Sequence, residues 1–186
     1  MTKHGTFVFA FVLAFLVVFA VHFLDFPGSV PRFKETSGGG ILLDQSPSFT
    51  VDAIYKRLSD YGEEGRRNYA FRNVTVDILL PLSLFPFLFL LTFHAIRSLQ
   101  LNRSLRVLLL SLPLVYVVLD VAENADVLIL LHNYPRRMDT VASWLPYVTS
   151  VKRAASVLAL FVPLGIFGFR FLRGKGDKPK IAKTVN

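Results

Sequence analysis

One run of residues limits the fold before anything else does. From Thr6 to Leu24 the chain reads TFVFAFVLAFLVVFAVHFL, with no formal charge anywhere in it. As helix, rising about 1.5 Å per residue, that run just covers a hydrocarbon core of roughly 30 Å. A cleaved leader has a shorter apolar region, about 7–15 residues, followed by a small-x-small site. The run from Thr6 fits neither feature, so it is expected to persist as a first membrane span.

Three further stretches repeat the pattern. The second runs from about Val76 to Ile96 and contains Pro81 and Pro86. Neighbouring helices can satisfy the carbonyls that such prolines free, so a kinked, protein-facing helix is expected. The third runs from about Leu105 to His132, where DVAENAD interrupts the apolar residues before VLILL resumes. The fourth, about Ala142 to Phe171, is broken early by Lys152 and Arg153. Composition agrees with an environment of lipid: 53% of residues are hydrophobic and 18% charged, against about 25% charged in soluble domains. With no cysteine in the chain, disulfides, thiolate metal sites and thiol redox chemistry are excluded.

The net charge of +8 suggests nucleic acid until it is mapped. Lys3 precedes the first span, Arg97, Arg103 and Arg106 separate the second from the third, and Arg170, Arg173, Lys175, Lys178, Lys180 and Lys183 crowd the end. Four spans place all three clusters on one side, cytoplasmic by the positive-inside rule. The charge is therefore a topology signal plus a basic tail against anionic lipid, not a nucleic-acid surface. Arg136 and Arg137 dissent, on the outer side, where Tyr134, Trp144 and Tyr147 suit an aromatic interface belt.

The outer segment, residues 25–75, divides in two. Asp25 to Phe49, with Pro27, Pro31, Pro47 and three consecutive glycines, reads as loop without regular structure. From Thr50 the apolar residues Val51, Ile54, Tyr55, Leu58 and Tyr61 recur at helical spacing, with Thr50 as N-cap and Gly62 as stop. This predicts a short amphipathic cap helix burying Ile54, Tyr55 and Leu58. Asn73-Val74-Thr75 is a glycosylation sequon, but it abuts the second span and is read as chance.

The charged residues that remain converge. Asp120, Glu123 and Asn124 stand at i, i+3 and i+4 on one helix face, toward the outer end of the third span. Asp77, Lys152, Arg66, Tyr69 and His22 fall in the same outer half by connectivity alone. Ionisable groups at such depth must point inward and find partners, with Lys152 the first counter-ion and Arg66 the second. Metal ligation is not expected: the Glu-x-x-His pairs of di-iron bundles and H-E-x-x-H are missing, and His132 is about 180° around the helix from Glu123. Ser111, Ser143, Ser150 and Ser156 lack a nucleophile elbow and read as helix-packing residues.

The segments YGEEGRRNY, Asp77 with Pro81, LPLVYVVLDVAENADVLILLHNYP, and Thr149 with Lys152 resemble a family of small four-span integral membrane proteins without an established activity. The matching positions are Tyr61, Gly62, Gly65, Arg66, Tyr69, Asp77, Pro81, Pro113, Asp120, Glu123, Asn124, Tyr134, Pro135 and Lys152, within residues 50–170. The resemblance implies shared architecture and a shared polar cluster, and no reaction.

The expected protein is all-α: a four-helix transmembrane bundle over residues 1–172 with an extramembrane cap helix, a basic tail at 173–186, and both termini cytoplasmic. The expected site is the cluster Asp77, Asp120, Glu123, Asn124, Lys152, Arg66 and Tyr69, with no metal and no cofactor. Its expected partners are membrane lipids and an amphipathic ligand held by the head. Two alternatives stay open: a structural or assembly protein whose ionic cluster only holds the bundle, and a lipid-modifying enzyme using the carboxylates.

Overall fold

A computed structural model describes residues 3–176; of the basic tail placed at 173–186, residues 177–186 lie outside it. Among the described residues all regular secondary structure is helical: α1 (Lys3–Phe23), α2 (Val30–Thr36), α3 (Val51–Asp60), α4 (Gly62–Val74), α5 (Val76–Ile96), α6 (Arg103–Asn133) and α7 (Asp139–Gly176). Four segments are long and apolar enough to cross a membrane, namely α1, the α4–α5 run, α6 and α7. The polar interruptions of the third and fourth apolar stretches do not break them. Asp120, Glu123 and Lys152 sit inside unbroken helices, which is affordable because their side chains turn toward the bundle.

Helix α5 lies at the centre, packed on α1, α6 and α7, while α6 and α7 pack along each other. No extended packing joins α1 to α7. Helix α1 meets the bundle through small residues: Ala10, Ala14 and Val21 are buried, whereas Phe11, Phe15 and Phe19 point outward. Small side chains let helix backbones approach closely in a membrane, where no hydrophobic force favours burying Phe over leaving it in lipid. The outward phenylalanines stack on one another along the helix, with centroids 6.3 and 6.2 Å apart.

The connectivity is up-down-up-down. Phe7 of α1 contacts Phe87 and His94 of α5 at 6.0 and 5.7 Å, and the Arg170 guanidinium of α7 donates to the Ala95 carbonyl at 3.3 Å. The start of α1, the end of α5 and the far part of α7 therefore share the end of the bundle that carries the 97–102 connection. Residues 24–75 and the 134–138 turn cover the other end.

That cover is better ordered than its composition suggests. Helix α3 forms where its periodicity places it, Thr50 Oγ1 accepting from the Ala53 N–H at 3.3 Å, and Ile54, Tyr55 and Leu58 are buried. Gly62 follows with φ +64°, the left-handed turn that ends α3 and starts α4. Helix α2 departs from the expectation of structureless chain over 25–49. Ser29 caps it, its Oγ accepting from the Arg32 N–H at 3.2 Å, and Pro31 stands in its first turn. Proline there starts a helix instead of breaking one, since the missing N–H would have been unpaired anyway. Phe33, Leu42, Leu43, Leu58, Tyr61 and Tyr69 then form a core continuous with Ala142 and Leu145 of α7.

The cap is tied down by polar contacts as well. Arg57 donates to the carbonyls of Ile41 and Leu42 at 2.5 and 2.9 Å, to Ser48 Oγ at 3.0 Å and to the Ser46 carbonyl. Tyr55 Oη donates to the Arg136 carbonyl at 3.4 Å and accepts from the Met138 N–H. Arg137, one of the two basic residues on the wrong side for the charge rule, is paired with Asp52 and Asp139 at 2.8 and 3.0 Å. Trp144 and Tyr147 are exposed beside Phe49 as a belt would require, but Tyr134 lies under the Arg66 guanidinium.

Candidate functional site

Two ion pairs lie side by side at the capped end of the bundle. The first joins α6 to α7. Asp120, Glu123 and Asn124 share one face of α6, and Thr149 and Lys152, three residues apart, share one face of α7. Lys152 Nζ is 3.1 Å from Asp120 Oδ1 and also donates to Glu123 Oε2, while Thr149 Oγ1 donates to Glu123 Oε1. Asn124 Nδ2 donates to Asp120 Oδ2 at 3.3 Å, so every carboxylate oxygen of the pair is engaged. Glu123 is fully buried and Asp120 nearly so.

The second pair was not anticipated. Asp77, the second residue of α5, is matched by Arg72, whose Nη2 lies 2.7 Å from Asp77 Oδ1. Arg72 is 1% exposed, and its Nη1 donates to the Gly28 carbonyl at 2.9 Å. Gly28 has φ +86°, and a Cβ there would meet Val76 Cγ2 at 2.7 Å, so the carbonyl can be presented only by a residue without a side chain. Asn73 Nδ2 donates to the Asn124 carbonyl at 3.3 Å and links the two pairs. The sequon asparagine is therefore buried and engaged, which removes it as a glycan acceptor. Arg72 Nε, Asn73 Oδ1 and Asn68 Oδ1 are buried without a partner among the described residues.

The predicted cluster is thus partly assembled. Asp120, Glu123, Asn124 and Lys152 meet directly, and Asp77 stands beside them with its own counter-ion. Tyr69 is one step away: its Oη accepts from the Leu43 N–H at 3.2 Å and donates to Asp44 Oδ1 at 3.4 Å. Arg66 is not part of the cluster. Its Nη1 donates to the Leu58 carbonyl at 2.8 Å and its guanidinium covers the Tyr134 ring at 4.2 Å. Gly65, Tyr69, Arg72 and Asn73, at i, i+4, i+7 and i+8, form the buried face of α4, and Arg66 is one residue off that face. That spacing was the signal for Arg72, obscured because arginine and asparagine read as surface residues.

A cavity of about 440 Å³ opens beside the pairs, lined by α1, α5, α6, α7 and the loop residue Asp44. Its polar end holds Asp77, Asp120, Asn124, Lys152, Arg153 and His22; the rest is apolar, with Leu80, Leu84, Phe87, Leu88, Leu160 and Phe161. From Asp77 to Leu88 along α5 is about 16 Å at roughly 1.5 Å per residue. The cavity lies where α1 and α7 leave a gap over α5. Ser111, Ser143, Ser150 and Ser156 donate to carbonyls three or four residues earlier in their own helices, at 2.7–2.9 Å. Among the described residues no three His, Asp or Glu side chains group as a metal site.

Compared with protein-family profiles, with curated proteins and with solved structures, the chain finds no match in any of the three.

Proposed function

We propose that this multi-pass membrane protein binds a lipid-like amphipathic molecule in the cavity between α1 and α7, with both termini cytoplasmic and the cap outside. One observation carries the reading. A single cavity joins a charged end at the capped side to an apolar length running along the helices. Its size falls within the roughly 300–1,000 Å³ typical of ligand sites, and such sites use a few polar groups to orient an otherwise apolar ligand. Isolated ionisable groups at membrane depth are costly, so a cluster that also borders open space is a site by default. The orientation rests on the basic residues gathered at the end with the 97–102 connection.

A structural role is the second reading, favoured by how completely Lys152 satisfies Asp120 and Glu123. In that case the network fixes the register of α6 against α7 and the cavity is incidental. A lipid-modifying enzyme would have to use Asp44, Asp77 or Asp120, since Glu123 does not line the cavity and Arg66 is remote from it.

Native mass spectrometry of the full chain extracted in mild detergent tests the proposal. A co-purifying lipid-like species is expected, and Leu84→Trp, which fills the apolar length, should remove it while the unfolding temperature holds. Retention of the species in the variant, or none in the wild type, would leave the structural role standing.

A further inference from the structure

The charges around the cavity say what kind of head it receives, given the ligand-binding reading above. Asp77 and Asp120 are the buried carboxylates at its polar end, and Glu123, bonded to the same Lys152 as Asp120, is buried beside them without lining the space. Arg72 answers Asp77, and Lys152 is shared between Asp120 and Glu123, so three carboxylates face two cations. The mouth does not redress the excess. Asp44 and Arg153 both line it and offset each other in charge, Arg153 donating to the Asp44 and Gln45 carbonyls at 3.0 and 3.1 Å. His22 also borders the space, its Nδ1 held 2.9 Å from the Val18 carbonyl.

The two cations of the buried pairs are also already committed. Arg72 does not line the cavity, although its partner Asp77 does, and Lys152 Nζ is already engaged by two carboxylates. An anionic head at the buried end would thus meet Asp77 and Asp120 beside a Lys152 already shared by two carboxylates, while Arg153 lies at the mouth and is bonded there to the Asp44 and Gln45 carbonyls. We propose that the cavity takes an amphiphile whose head carries an ammonium group, held between Asp77 and Asp120, with its chain along Leu84, Leu88 and Leu160. A positive head supplies the missing charge in surroundings where an unmatched carboxylate is costly. The same ammonium chemistry occurs on a simple long-chain amine and on an ethanolamine phospholipid.

Displacement of a pyrene-labelled alkanol from the full chain in neutral detergent reads the preference. At pH 7 dodecylamine should displace it at about tenfold lower concentration than dodecanol, tenfold being about 1.4 kcal/mol, and dodecanoate should be weakest. Ser156→Lys adds a cation to the lining without touching either buried pair and should abolish the advantage of the amine. Lyso-phosphatidylethanolamine matching the amine and exceeding lyso-phosphatidylglycerol would assign the ammonium to a phospholipid; preference confined to dodecylamine would assign it to a free amine. Equal potency of amine and alcohol, or tighter binding of dodecanoate, overturns the ammonium head while leaving the cavity a binding site. Absence of saturable alkanol binding, or binding indifferent to Leu84→Trp, is instead the failure of the binding reading itself.

Discussion

Because Lys152 serves both Asp120 and Glu123, substitutions in this network are not interchangeable. Removing one partner of a buried pair costs about 3–5 kcal/mol when the other charge is left alone. Asp120→Leu leaves Lys152 paired with Glu123 and should fall below that range. Lys152→Met strands two carboxylates and should reach or exceed it. The double change still strands Glu123, so thermal unfolding in detergent should show rescue only when Glu123→Leu is added to make the triple variant. Full rescue by the double variant would mean that Glu123 does not depend on Lys152. Tyr61 behaves differently, because burial pushes its phenol up to about 12 from 10.0, with nearby Arg57 opposing. Its Oη donates to the Ile41 carbonyl at 2.6 Å, a bond that exists only in the protonated form. A raised pKa for an acid means the folded state holds the proton longer. This contribution is therefore complete below pH 10 and lost as pH rises through about 12. An alkaline titration followed by proteolysis of the cap should show loosening in that window, and Tyr61→Phe should flatten the pH dependence while lowering stability at neutral pH.

At the scale of elements, the segment 41–48 has no helix of its own to hold it, and Arg57 ties it down at more points than Tyr61, Tyr69 or Arg153 does. Arg57→Ala should leave α3 intact but speed amide hydrogen exchange across 41–48, and with it the placement of Asp44 at the cavity mouth. Unchanged exchange there would show that buried Leu42 and Leu43, with the bonds from Tyr61, Tyr69 and Arg153, suffice. How far each element could be read beforehand follows from what its residues signal. The four spans and α3 were legible because apolar residues in long runs or at a helical period announce burial directly. Helix α2 was not, since Pro31 marks either a loop or a helix start, and only the capping bond of Ser29 decides between them. The inward face of α4 was hidden for another reason. Its buried positions include Arg72 and Asn73, which any reading based on apolarity assigns to water. Asp120, Glu123 and Lys152 are legible because a charge inside a span is conspicuous, whereas an arginine just outside one is not.

For the molecule as a whole, the proposed orientation places the cap and the 97–102 connection on opposite sides. The chain contains no cysteine, so Gln45→Cys and Ser98→Cys, both at exposed positions, give a clean assay. In intact cells a membrane-impermeant maleimide should label the first and spare the second until the membrane is opened; equal labelling of both would remove one of the four spans. The gap between α1 and α7 has a further consequence. The cavity runs along the helices beside that gap, so the tail of the proposed occupant would lie parallel to the acyl chains around it, and its entry would require neither a passage through water nor a turn end over end. Supply is then two-dimensional. On that proposal occupancy would be set by the number of ligand molecules per bilayer lipid, not per litre, and diluting a suspension of membranes at fixed composition would leave the protein as full as before.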